Sequence, residues 1–271
     1  MLIQKTSLAL ALALAAAVPA HADISVAGTG GTYTQSFDSL ANSGSAAVAW
    51  ANDSTLAGWS LFNKDSVAIA TYTADNGGSN AGSFRSYGAA GVAERALGGS
   101  ASGGTYFGSP ASNTVAGWIA VALNNDTGAA LSGFKLAFDG EQWRNGGNAA
   151  AQTMVLEYGF GASFATVASW TAPGGNFDFT SPVVGATAAA VDGNGAGLVA
   201  GRGGEVSTTW AAGDTLWVRW VEKNDAGNDH GLAIDNVSIQ AVSAVPEPST
   251  YAMLLAGLGC VGFIARRRKA A

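Results

Sequence analysis

The sequence predicts an all-β body, a jelly-roll-like antiparallel β-sandwich, on three observations. Apolar residues come in short runs of strand length, several of them alternating with polar ones. Between the runs lie turn formers, and Gly alone supplies 38 of the 271 residues. No long stretch between residues 23 and 244 carries the 3.6-residue apolar period of a helix. Two helices are expected outside the body, a signal helix before it and an apolar helix after it.

In chain order, residues 1–22 read as a secretory signal. Lys5 gives the basic start and Leu8 to Val18 the apolar centre. Ala20 and Ala22 form a small-x-small cleavage site, so a secretion translocon is the first expected partner. Strands are expected over 66–72, 117–123, 133–138, 154–158, 215–221 and 232–239. Turns are expected at 75–78, 124–128, 173–176 and 192–195. The Gly/Ser stretch 98–104 reads as a long mobile loop. No Pro-rich or charged linker and no regular repeat divides residues 23–244, so they are read as one domain.

The last segment, 245–271, has three parts. Pro246, Glu247 and Pro248 can neither continue a strand nor start a helix around the glutamate, which leaves the peptide extended and exposed. Residues 251–265 are apolar and uncharged, and Arg266, Arg267, Arg268 and Lys269 follow at once. The basic end stays cytoplasmic and stops transfer. The apolar run is short against the roughly 20 residues of a permanent span, which suits a transient inner-membrane anchor. Pro-Glu-Pro, apolar helix and basic end in this order resemble the PEP-CTERM sorting signal. The resemblance implies a Gram-negative-type cell and removal of the tail by an exosortase. It also implies a final address in the cell envelope, on the surface or in the extracellular matrix, among bacteria that make exopolysaccharide and biofilm.

Charge and cysteine narrow the function. Of 13 basic and 19 acidic residues, five basic and one acidic lie in the terminal segments, which leaves eight basic against eighteen acidic in the body. Such a surface repels phosphate backbones, so nucleic acid is not an expected partner. The sole cysteine, Cys260, lies in the tail, so the body forms no disulfide and no thiolate metal site.

The densest polar stretch is 222–231. Its Asp225 and Asp229 are either turn-formers in a solvated hairpin loop or hard oxygen donors for Ca²⁺. Asp235 stands mid-strand between Ile234 and Val237, where an unpaired carboxylate is costly, so it needs an arginine, backbone donors or a cation. Residues 234–239 resemble the last strand of carbohydrate-binding jelly rolls. That resemblance implies a structural Ca²⁺ held by Asp235 with an acid near the first strand, here Asp38. A second constellation is Glu141, Trp143 and Arg144. It reads either as a sugar platform or as a structural ion pair under a packed ring, with Glu157 or Asp235 as partner for Arg144. Trp217 and Trp220, three apart, point to opposite faces of one strand, so one of them is expected at the surface.

Catalysis has little material. After signal removal His230 is the sole histidine, and no nucleophile elbow or phosphate loop is present. Two carboxylates suffice for a glycan hydrolase, but no pair is marked for the task. Glu94-Arg95, the 140–144 stretch, Arg219-Trp220 and the 229–235 stretch together resemble a recurrent body on PEP-CTERM proteins, which implies a fold and a location. The reading is therefore a non-catalytic glycan-binding module stabilised by Ca²⁺, with extracellular polysaccharide as partner. The alternative is a passive biofilm-matrix protein without a small ligand.

Overall fold

The computed structural model describes residues 24–243 and 253–260. The signal with Ala20 and Ala22, the Pro246-Glu247-Pro248 motif and the basic end 266–269 lie outside the described residues. The first seven strands are β1 Ile24–Val26, β2 Thr32–Gln35, β3 Val48–Ala49, β4 Trp59–Asn63, β5 Thr71–Asp75, β6 Ser83–Tyr87 and β7 Ala96–Ser100. Then come β8 Thr114–Asn125, β9 Leu131–Asn145, β10 Thr153–Phe160, β11 Phe179–Thr180 and β12 Ala189–Ala190. The last three are long: β13 Leu198–Trp210, β14 Thr215–Asn224 and β15 Gly231–Ser243.

These strands form two sheets. The six-stranded sheet runs β1-β8-β14-β10-β11, with β4 also on β8. The nine-stranded sheet runs β12-β9-β15-β7-β6-β5-β3, with β13 also on β9 and β2 on β15. The expected antiparallel β-sandwich is therefore present, with two parallel exceptions, β1 on β8 and β5 on β6.

Strand alternation builds the core between the sheets. On β8 Ile119, Val121 and Leu123 point inward, on β14 Leu216, Val218 and Trp220, and on β9 Phe134, Leu136 and Phe138. Trp220 stacks on Trp59 at 5.8 Å and meets Phe138 edge-on at 5.6 Å, so rings from both sheets close the centre. The residues between them face outward. Trp118, Ala120 and Ala122 of β8 and Trp217 of β14 form a second cluster on the outer face of the six-stranded sheet.

Trp217 and Trp220 do face opposite ways, yet neither is exposed. A short 3₁₀ turn, Phe164–Thr166, lays Phe164 edge-on against Trp217 at 5.7 Å and covers the outer face. Arg219 lies over the Trp170 ring at 3.7 Å and pairs with Glu157 at 2.6 Å. Glu157 is thus taken by Arg219, and the expected pairing of Arg144 with Glu157 is not formed.

The stretch read as a mobile loop is corrected in part, because residues 96–100 form buried β7. A Cβ on Gly98 would stand 2.0 Å from the Leu232 carbonyl oxygen, so glycine here lets β7 approach β15 rather than making a loop. In the tail, residues 253–260 are helical and place Met253, Leu254, Leu255 and Leu258 on the surface. Among the described residues no helix is long and apolar enough to cross a membrane.

Candidate metal centre

Three neighbouring strands of the larger sheet, β9, β15 and β7, create an acidic site on its outer face. Glu141 of β9 is opposite Ala233 of β15, and Asp235 follows two residues on, on the same face. Ile234 and Val237 both reach the core although they are three apart. A bulge at Asn236, with φ of +50°, and a register shift between Asp235 and Ser238 make that possible. The bulge ends the run that sends Asp235 outward. Glu94 enters from the segment just before β7.

One oxygen from each of Glu94, Glu141 and Asp235 lies within 4.8 Å of the other two. Glu141 and Asp235 are 1% and 3% exposed. Asn194 donates to Glu94 Oε2 at 2.6 Å, and the Trp143 indole donates to Glu141 Oε2 at 2.7 Å. Among the described residues, Glu94 Oε1 and Asp235 Oδ1 are buried without a hydrogen-bond partner. Arg95, the adjacent cation, spends its guanidinium on Ser86 and on the carbonyls of Asp75, Ser86 and Ala89. Burial first, and then the neighbouring carboxylates, push Glu141 up to about 7 and Asp235 up to about 8.

This donor set fits a hard divalent cation. All the donors are carboxylate oxygens, with no nitrogen or sulfur to favour zinc or copper. Opposite ligands around Ca²⁺ are about 4.6–5.2 Å apart, which accommodates the spacing.

Of the four aspartates read as Ca²⁺ ligands, only Asp235 belongs to this group. Asp38 is close enough to raise the Asp235 carboxyl, but its oxygens accept from Arg95 N at 3.2 Å and Ser36 Oγ at 3.0 Å. Asp225 and Asp229 shape the β14–β15 turn instead. Asp229 Oδ1 accepts from Asp225 N at 2.7 Å, and Lys223 pairs with Asp225 at 3.0 Å. The Glu141-Trp143-Arg144 constellation also divides. Trp143 is buried, stacked on Tyr87 at 6.3 Å, with Gly193 against its ring, so it presents no platform. The Arg144 guanidinium donates to the Gly77 and Gly78 carbonyls at 2.9 and 3.2 Å, not to Asp235. Nothing in its local sequence marks Glu94 as a ligand; the sheet order brings it in.

A further buried acid, Glu222, lies on β14. Glu222 is fully enclosed, and burial, then Asp229 and Asp225, push its carboxyl well above the usual range. Its folded value is above its unfolded one, so its stabilising effect is present at low pH and is lost as pH rises past the unfolded value. Glu222→Gln should therefore gain little at pH 5. At pH 8 it should exceed the wild type by several degrees, at about 2–4 °C per kcal/mol for this chain length. Melting curves at both pH values check this; equal differences at the two would contradict it.

The fold and these sites define an acidic β-sandwich with a buried carboxylate centre. Residues 244–269 match the PEP-CTERM protein-sorting motif, so the chain carries the exosortase-type signal and is an exported protein of a Gram-negative-type cell. No curated protein matches the chain. Among solved structures it is similar to the CBM22-1 xylan-binding domain of Paenibacillus barcinonensis Xyn10C. That similarity has a TM-score of 0.36 and 9% identity, and covers 79% of this chain and 95% of the other.

Proposed function

We propose that the exported body is a non-catalytic glycan-binding module stabilised by Ca²⁺, with the ion held by Glu94, Glu141 and Asp235. One observation carries the reading: among the described residues three carboxylates converge with two buried oxygens unpartnered and no ion pair to a basic side chain. Such a group is unfavourable alone and becomes favourable around a cation. The ion would tie β7, β9 and β15 together where no disulfide is available. A non-catalytic role suits the geometry as well. Glu141 and Asp235 are buried in the fold, whereas a glycan hydrolase needs two acids flanking an open scissile bond.

The glycan half is tested by applying the exported protein to a polysaccharide array with Ca²⁺ and with chelator. Binding to at least one polysaccharide is expected, weakened by chelation. A folded, Ca²⁺-loaded protein that binds none, yet whose deletion abolishes cell aggregation, would establish the passive matrix role instead.

A further inference from the structure

The loops at one end of the sandwich enclose a cavity of about 260 Å³ whose chemistry the metal centre does not use. Ser100 at the end of β7 and Ser102 just past it, Arg144 near the end of β9, Asn224 at the end of β14, and Asn228 and Asp229 from the β14–β15 turn all line it. No large apolar side chain contributes to the wall. Its volume is just under the small-molecule range of about 300–1,000 Å³, a size for one ring rather than a chain of rings.

Arg144 is the second observation. It is nine-tenths buried, two carbonyls hold its Nη1, and among the described residues no hydrogen bond ties its Nη2. With Nη1 held, Nη2 is left to donate to a ligand in the cavity. Asp229 supplies the opposite character on the same wall, and among the described residues Arg144 forms no ion pair with it. Donor and acceptor on one small polar wall suit a pair of adjacent hydroxyls, since each hydroxyl both donates and accepts. An acid beside the arginine on the wall, and the acidic excess of the body, disfavour an anionic ligand.

We infer that this cavity binds one uncharged, polyhydroxylated sugar ring, with Arg144 donating to one hydroxyl and Asp229 accepting from its neighbour. The inference rests on the glycan-binding reading and names its site. The test is an NMR titration of the exported, Ca²⁺-loaded protein with D-glucose, D-galactose, D-mannose and L-rhamnose. It follows the Arg144 Nε–H and the side-chain amides of Asn224 and Asn228. Saturable shifts of these signals with at least one sugar are expected. Ala188→Trp, placed at an exposed lining residue, should fill the cavity and weaken binding at least ten-fold without unfolding the protein. Asp229→Asn, which keeps the acceptor for Asp225 N, should weaken it less. Polysaccharide binding on the array that survives Ala188→Trp, or shifts confined to another face, would overturn the cavity and leave the glycan reading standing. Absence of binding both on the array and in the titration would overturn both.

Discussion

Calcium at about 100 times its dissociation constant should raise the melting temperature of the exported protein by about 5–10 °C. A ligand that binds only the folded state at that excess contributes about 2.7 kcal/mol, and about 2–4 °C per kcal/mol applies at this length. Glu141→Gln and Asp235→Asn should lose the shift. Each should also be more stable than the wild type without calcium, because burial and mutual repulsion hold both carboxyls near or above neutrality. Gln at position 141 keeps an oxygen for the Trp143 indole, so loss of packing does not account for the result. The order of stabilities should therefore cross: variants above wild type in chelator, below it in calcium. An equal calcium shift in all three proteins would place the ion elsewhere.

Trp220→Ala should cost about 3–5 kcal/mol, the range for removing a large ring from a packed core. Trp220 is fully buried between the sheets, against Trp59 and Phe138, and its removal leaves a void that rings on two sheets cannot close together. Against a total stability of about 5–15 kcal/mol this takes much of the margin. Trp220→Phe separates ring from indole N–H. Among the described residues Trp220 Nε1 is buried without a partner, so its removal offsets part of the lost area, and the phenylalanine variant should stay much closer to wild type. Urea midpoints measure both. An alanine variant within 1 kcal/mol of wild type, with the extrapolation to water good to about 10–15%, would contradict this account of the core.

The sandwich was legible because β8, β14 and β15 alternate strongly enough to show their faces, and the turns between them carry Gly and Asn. Less legible was what covers a face. One of Trp217 and Trp220 is expected at the surface because alternation assigns a direction but not the Phe164 turn that covers Trp217 from over fifty residues away in sequence. Glycines 98 and 99 looked like a loop because close strand approach and turn geometry call for the same residue. The carboxylate cluster divided along the same line. Asp235 was identifiable from a carboxylate set in an apolar strand. Asp225 and Asp229 were attractive for being dense, yet turn geometry explains them. Glu94 and Glu141 meet Asp235 only through the order β9-β15-β7, which no local spacing reveals.

The centre itself is tested most directly by counting ions. The exported protein is equilibrated with calcium, dialysed, and analysed for bound metal, beside Glu141→Gln and Asp235→Asn. One calcium per wild-type chain and none on either variant is the expected result. A metal-free wild type, or calcium retained by both variants, would contradict the assignment of Glu94, Glu141 and Asp235 as its ligands.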